Sequence, residues 1–259
     1  MDEPLTTNDS HPIVRVGKTI HRPTGWWTPA VHDLLNYLEK VGFQYSPRVL
    51  GFDGEGREVL SYIEGETGSK GNWKPIWQKI TNEDGLRKLA KFLREYHDAV
   101  AGYRPPAGSE WASSRKALEP GEIICHGDFG VWNIIWQGDE PVGIVDWDMA
   151  FPAKPEYDIL YALEYAAPFR DDEITLKWHH FTALPDRKVR IATFLKAYGT
   201  TPIDNVASKV AGMQREVGEH MKYLAERGLQ PQADWVANGA LQETEERAKW
   251  TEVNKNLFE

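Results

Sequence analysis

The chain predicts an α+β protein in which strands gather in the first quarter and again near the middle, while helices fill most of the rest. Three observations predict it. Short apolar runs punctuated by Gly, Asp and Pro recur within 13–22, 48–63 and 122–148. Apolar residues at helical spacing occupy 29–41, 86–100 and most of the chain beyond 155. The 259 residues suffice for one large domain or two small units around a sizeable core, and no internal repeat or low-complexity segment interrupts them.

In chain order, residues 1–12 are polar and read as loose. Runs 13–16 and 19–22 flank Gly17-Lys18, whose Gly-X order suits a type II′ hairpin turn. Gly17-Lys18-Thr19 imitates the end of a P-loop, but the first glycine of that motif would fall at Pro12 and no helix follows, which excludes it. Thr28 as N-cap, Pro29 at the first helical position, and Val31, Leu34, Leu35, Leu38 and Val41 at helical spacing define a helix that Gly42 stops. Segments 48–51 and 57–63 are strands joined by Asp53-Gly54-Glu55-Gly56; no helix opens after these glycines, so a hairpin is expected rather than a dinucleotide fingerprint. Residues 66–82 read as loop. Leu86, Leu89, Ala90, Leu93, His97 and Val100 mark a helix ending near Gly102, with His97 as a hydrogen-bonded core histidine. Further helices are expected at about 173–183, 186–198, 203–227 and 232–252.

The centre of the chain carries the chemistry. Runs 123–125, 134–136 and 142–145 read as strands, with Gly138-Asp139 as a turn. His126, Asp128 and Asn133 fall in the loop that the first two strands would close, and Asp146 follows the third, so a single point can collect them. An Asp that orients a hydroxyl, beside an amide oxygen and a second carboxylate as hard ligands for Mg²⁺, is what phosphoryl transfer from a nucleotide requires. The competing reading is a capped turn with solvated Asn133 and Asp146.

His126-Gly127-Asp128, Asn133 five residues after the Asp, and Ile144-Val145-Asp146-Trp147-Asp148 together resemble the aminoglycoside phosphotransferase and choline kinase-like family. The resemblance implies a two-lobed protein-kinase-like fold with a shortened β-rich N-lobe at 1–63, a hinge at 64–66, and a mostly helical C-lobe at 67–259 carrying the catalytic β-hairpin. It further implies Asp128 as the catalytic residue, Asn133 and Asp146 as metal ligands, and His126, Asp148 and Asp158 in support. Tyr62, Ile63 and Gly65 would meet the adenine edge. The usual glycine-rich loop has no counterpart before the first hairpin and the strand lysine has no clear match, so Arg22 is the best-placed cation for phosphate, with Lys18 second. The acidic partner of that cation would fall near Val31 or His32. No Asp-Phe-Gly, Ala-Pro-Glu or long activation loop follows Asp148, which points to a small-molecule acceptor.

The expected activity is Mg²⁺-dependent transfer of the γ-phosphoryl of ATP or GTP to a hydroxyl of a small molecule, an aminoglycoside or other antibiotic among the acceptors. The alternative is a non-catalytic kinase-like binding or immunity module, since some shortened relatives carry immunity labels. Asp148 and Glu164 could offer negative charge to a polyamine, whereas Asp171 to Glu173 read as a solvated face. A net charge of -9 argues against nucleic acid or anionic membranes as partners. One cysteine, Cys125, excludes a disulfide framework; with no basic-apolar leader and no membrane-length apolar run, a cytoplasmic protein is expected, its oligomeric state left open.

Overall fold

The computed structural model describes residues 3–5, 13–68 and 73–259. Of the segment expected to be loose, 1–2 and 6–12 lie outside the described residues, as do 69–72 of the expected loop. Strands β1 (Glu3–Pro4), β2 (Val14–Val16), β3 (Thr19–Arg22), β4 (Val49–Phe52) and β5 (Glu58–Ser61) form an antiparallel sheet in the order β1-β2-β3-β5-β4. Gly17 takes φ +62° in the β2–β3 turn, as the first position of a type II′ turn requires. The β3–β5 register sets Arg22 directly opposite Glu58, a pairing that the site uses.

Helix α1 (Thr28–Lys40) connects the two hairpins and buries Leu34, Leu35 and Leu38 at 0–1% exposure, each burial worth about 1.5–3 kcal/mol. Its cap differs from expectation: Trp27 is the N-cap, and the Thr28 hydroxyl accepts from the Gly25 amide at 2.9 Å, closing the turn before the helix. The stretch 66–82 is not all loop. Helix α2 (Lys74–Thr81) starts with Pro75 in its first turn and buries Ile76, Trp77 and Ile80, a stripe too short to stand out as periodic. Helix α3 (Glu83–Val100) follows, with Asn82 accepting from Gly85 as its N-cap.

The central strands pair differently from the sequence expectation. Strand β6 (Ile123–Cys125) does not close a loop with its successor; it pairs with β9 (Phe151–Ala153), while β7 (Ile134–Gln137) and β8 (Glu140–Ile144) form their own hairpin. Three-residue 3₁₀ turns at Val131–Asn133 and Trp147–Met149 lead into and out of that hairpin. Helices α4 (Glu156–Ala166), α5 (Asp172–Lys177), α6 (Arg187–Tyr198), α7 (Val206–Ala225), α8 (Gln232–Ala237) and α9 (Ala240–Val253) complete the larger lobe. The helix expected over 173–183 ends at Lys177, because His180 turns left-handed at φ +56°. The one expected over 232–252 is two, broken where Gly239 takes φ +94°.

One continuous apolar cluster joins Leu34, Leu35 and Leu38 of α1 to Leu89 and Leu93 of α3, Trp147, and Leu163 of α4. A second tie is polar: Glu66 and Trp136 exchange backbone hydrogen bonds of 2.7 and 3.0 Å, pinning the segment after β5 to β7. The result is a two-lobed, kinase-like α+β architecture with a small antiparallel sheet against a helical body.

Candidate active site

Strand β6 delivers His126, Gly127 and Asp128 to the top of α4, where Asp158 receives them. The Asp158 carboxylate accepts from the amides of His126 (2.7 Å) and Gly127 (3.0 Å) and meets His97 Nε2 at 3.1 Å. Burial pushes Asp158 up, but the His97 hydrogen bond and the charges of His97 and His126 bring its pKa below the ordinary carboxylate value. His97, itself buried, also bonds the Tyr198 hydroxyl at 2.8 Å, so it is a core histidine with both nitrogens engaged. Gly127 sits at φ +80°, and a Cβ there would lie 2.0 Å from the Met149 carbonyl, so only glycine lets the loop pass beneath the segment after Asp146.

His126 is fully buried. Its Nε2 faces the Val145 carbonyl at 3.1 Å and its Nδ1 accepts from the Asp128 amide at 3.3 Å, which tethers the loop to the end of β8; burial lowers its pKa. Asp128 is partly exposed. One carboxylate oxygen accepts from the Tyr161 hydroxyl at 2.5 Å; the other accepts from Asn133 Nδ2 at 2.8 Å and the Trp132 indole at 3.3 Å. Desolvation raises the Asp128 pKa to about 7, with the nearby Asp146 charge adding to it and the three donors opposing.

Asn133 and Asp146 are brought to one end of the β7–β8 hairpin. The Val145 amide donates to the Asn133 carbonyl at 3.0 Å, and Asp146 follows at φ +61°, a left-handed turn that exposes its carboxylate. Asn133 gives its amide N–H to Asp128, which leaves its amide oxygen as the atom that could meet a cation. Two hard oxygen donors suit Mg²⁺, which keeps waters and phosphate oxygens in its octahedron. Among the described residues no group of three or more His, Cys, Asp or Glu could hold a metal ion.

Arg22 reaches this end from β3. Its Nε donates to Glu58 at 2.7 Å, one Nη to Asp146 at 3.3 Å, and the other Nη to Asp148 in a short contact. Burial opposes the Arg22 charge, but Asp148, Asp146 and Glu58 outweigh it and raise its pKa. Desolvation lifts Asp148 to about 6 against the pull of Arg22. The acid on the far side of Arg22 is therefore Glu58 on β5, not a residue of α1. His32 of that helix meets Glu58 from behind at 2.7 Å, and burial of Glu58 is overcome by His32 and Arg22, leaving its pKa lowered. Nothing short of strand register pairs positions 22 and 58.

Tyr62, Ile63 and Gly65 follow β5, away from Arg22. The Tyr62 amide donates to Lys18 at 2.9 Å and its ring lies 3.7 Å beneath the Arg15 guanidinium. Ile63 abuts Gly143, where a Cβ would stand 2.8 Å from its Cγ2, and a Cβ on Gly65 would stand 2.5 Å from Ile135. These residues line the seam between the small sheet and the hairpin. Asn133 immediately precedes β7 and is three residues from Trp136, about 10 Å of extended chain.

Beyond Asp128 the surroundings are aromatic. Tyr157, Tyr161 and Tyr165 recur every fourth residue on α4, Trp132 sets its edge on Tyr165 at 4.7 Å, and Trp77 of α2 stands 6.4 Å from Trp132. The acids expected there do not present free charge. Asp148 is tied to Arg22, and Glu164, 1% exposed, is held by Arg170 at 2.6 Å and Arg247 at 3.2 Å. Asp171 caps α5, while exposed Asp172 and Glu173 pair with Arg187 and Lys177, which is the solvated reading. Tyr161 and Trp132, which with Asn133 grip Asp128, escaped the sequence reading; the spacing of Tyr157, Tyr161 and Tyr165 was the one visible signal, and it pointed only to Tyr161.

A family model described as "Phosphotransferase enzyme family" matches residues 109–188, the span from the loop before β6 to the start of α6. The segment that builds the site is thus similar to that family, in agreement with the resemblance read from His126, Asp128, Asn133 and Asp146. In sequence, the trifolitoxin immunity protein of Rhizobium leguminosarum bv. trifolii is 36% identical over 174 residues, which cover 66% of this chain and 64% of that protein's length. In structure, amicoumacin kinase hAmiN, solved with AMP-PNP, Ca²⁺ and Ami, aligns at TM-score 0.59 and 12% identity over 97% of this chain and 88% of its own. Aminoglycoside 2′-phosphotransferase-IIIa, in its GDP complex, aligns at TM-score 0.59 and 13% identity over 98% and 93%. At such identities the structural likeness establishes the fold. No helix among the described residues is long and apolar enough to cross a membrane.

Proposed function

We propose that this chain transfers the γ-phosphoryl group of ATP or GTP, together with Mg²⁺, to a hydroxyl of a small molecule in the cytoplasm. Residues 1–63 serve as the small lobe, 64–66 as the hinge and 67–259 as the larger lobe. The observation that carries the reading is the convergence on Asp128: its carboxylate is gripped by Asn133, Tyr161 and Trp132, and its loop is braced by Asp158. A carboxylate so placed orients an acceptor hydroxyl and takes its proton late, which a loose transition state permits. A pKa near 7 makes it a better proton acceptor than an ordinary Asp. Asn133 and Asp146 would hold the Mg²⁺, which when bound neutralises phosphate charge. Arg22 would steady the phosphates with its planar fork, and Tyr62, Ile63 and Gly65 would flank the base, a spacing along β7 that a nucleoside triphosphate can bridge. Turnover of ATP and GTP measured against a metabolite and antibiotic panel tests this, with Asp128→Ala as control. Equal activity in the two proteins rejects the assignment.

The second reading, a kinase-like immunity module without catalysis, is favoured by one feature: Arg22 is engaged by Glu58, Asp146 and Asp148 at once, which opposes metal entry at Asp146. The named relative is itself an immunity protein. Thermal-shift titration separates the two, because Mg²⁺ with nucleotide stabilises the enzyme by mass action and leaves the module unmoved.

A further inference from the structure

We propose that the acceptor is an uncharged alcohol with a flat, π-bearing face beside its hydroxyl, and neither a polycation nor a quaternary ammonium; this rests on the phosphotransfer reading above. An acceptor hydroxyl must come within about 2.6–3.2 Å of Asp128 to be oriented. The side chains already at that distance or just beyond are Tyr161, Asn133 and Trp132, so the acceptor passes the indole of Trp132. Trp132 and Tyr165 are both partly exposed, edge to face at 4.7 Å, and Tyr161 is 5.5 Å from Tyr165, so rings wall the approach. Such faces reward a planar partner.

The charges behind the wall exclude an amine-rich acceptor. Glu164 is covered by two guanidiniums, Arg170 and Arg247, so the charge around it is positive by one. A ligand ammonium on this face would meet two guanidiniums, and Glu164, the α4 carboxylate beside them, is already held by both. A quaternary ammonium needs an open ring face, but the Arg170 guanidinium already lies 5.5 Å from the Tyr165 centroid. At the far end of the wall His179 stacks on Trp77 at 4.4 Å, 4% exposed, and its Nδ1 has no hydrogen-bond partner. Burial, with Arg170, His180 and Arg187 nearby, lowers its pKa to about 3, so this nitrogen is a neutral polar contact left unmade.

The test is binding of tryptophol, choline and streptomycin to the full chain with Mg²⁺ and AMP-PNP, by isothermal titration. In parallel, ³¹P NMR follows transfer from ATP to tryptophol and nucleotide hydrolysis by water. Tryptophol is expected to bind at least tenfold more tightly than either cation and to gain a phosphate on its hydroxyl. Tyr165→Leu, which keeps bulk but removes the ring face, is expected to weaken tryptophol about fivefold, the equivalent of one aromatic pair. Arg170→Gln is expected to narrow the gap in favour of streptomycin, with melting curves confirming that both variants fold. Tighter binding of choline or streptomycin overturns the proposal, as does absent tryptophol binding while water hydrolysis of ATP persists. Loss of nucleotide binding and hydrolysis in the wild type overturns the phosphotransfer reading instead.

Discussion

Glu58→Gln isolates the charge pairing that holds Arg22 in place. The Glu58 side chain is 3% exposed, with one oxygen 2.7 Å from Arg22 Nε and the other 2.7 Å from His32 Nε2. Removing one member of a buried pair costs about 3–5 kcal/mol when the survivor is left alone. Here the survivor is not alone, since Asp148 and Asp146 remain on Arg22, and glutamine keeps one acceptor in place, so a loss of about 2 kcal/mol is expected. Urea unfolding of wild type, Glu58→Gln, Arg22→Met and the double variant gives the coupling directly, expected at about 1–3 kcal/mol. With Glu58 neutral, Arg22 leans further onto Asp146, so Mg²⁺-nucleotide affinity should fall several-fold beyond the stability effect. Strict additivity of the two single changes, within about 0.5 kcal/mol, would show that Glu58 and Arg22 do not act as a pair and would refute the reasoning.

Further outcomes are expected elsewhere. Asp158→Ala strands the His126 and Gly127 amides and His97, each orphaned donor costing about 1–3 kcal/mol, so the unfolding midpoint drops sharply; an unchanged midpoint contradicts the bracing role. Gly127→Ala combines a left-handed φ with a contact at 2.0 Å to Met149 and should both destabilise the fold and reduce phosphotransfer, whereas the same change at Gly138, where a Cβ meets nothing, carries the backbone strain alone. His220 is kept neutral by burial, its pKa lowered to about 4 from an unfolded value near 6.5. Between those values the unfolded chain takes up a proton that the fold refuses, so stability should fall as pH drops through the window, by up to about 3 kcal/mol. His220→Leu should flatten that part of the pH-stability curve, read from urea midpoints at pH 7 and pH 4.5.

Much of the site was legible because it lies within one short stretch. His126, Asp128, Asn133 and Asp146 needed only the strand-loop-strand pattern around them, and the α1 and α3 stripes needed only their period. What escaped depends on pairing at a distance. The partnership of β6 with β9 could not be read, since three-residue strands carry too little pattern to fix a register. Glu58 was missed for the same reason: both its strand and that of Arg22 were anticipated, but which residues face each other follows from assembly. Glu164 looked like available negative charge because its cover comes from Arg170 and Arg247, the latter on the last helix and 83 positions further along. Helix α2 was lost to brevity, its three buried side chains being fewer than periodicity needs.

The three-way grip of Arg22 also accounts for an arginine rather than a lysine at this place on β3. An ammonium is a compact point charge and would settle on one acid, leaving the other two to repel each other across the cleft. A flat cation with separated N–H groups can serve Glu58 on its own sheet and both acids of the opposite lobe together. In this molecule the residue at position 22 therefore latches the two halves of the cleft, and Arg22→Lys should loosen that latch even though the formal charge is unchanged.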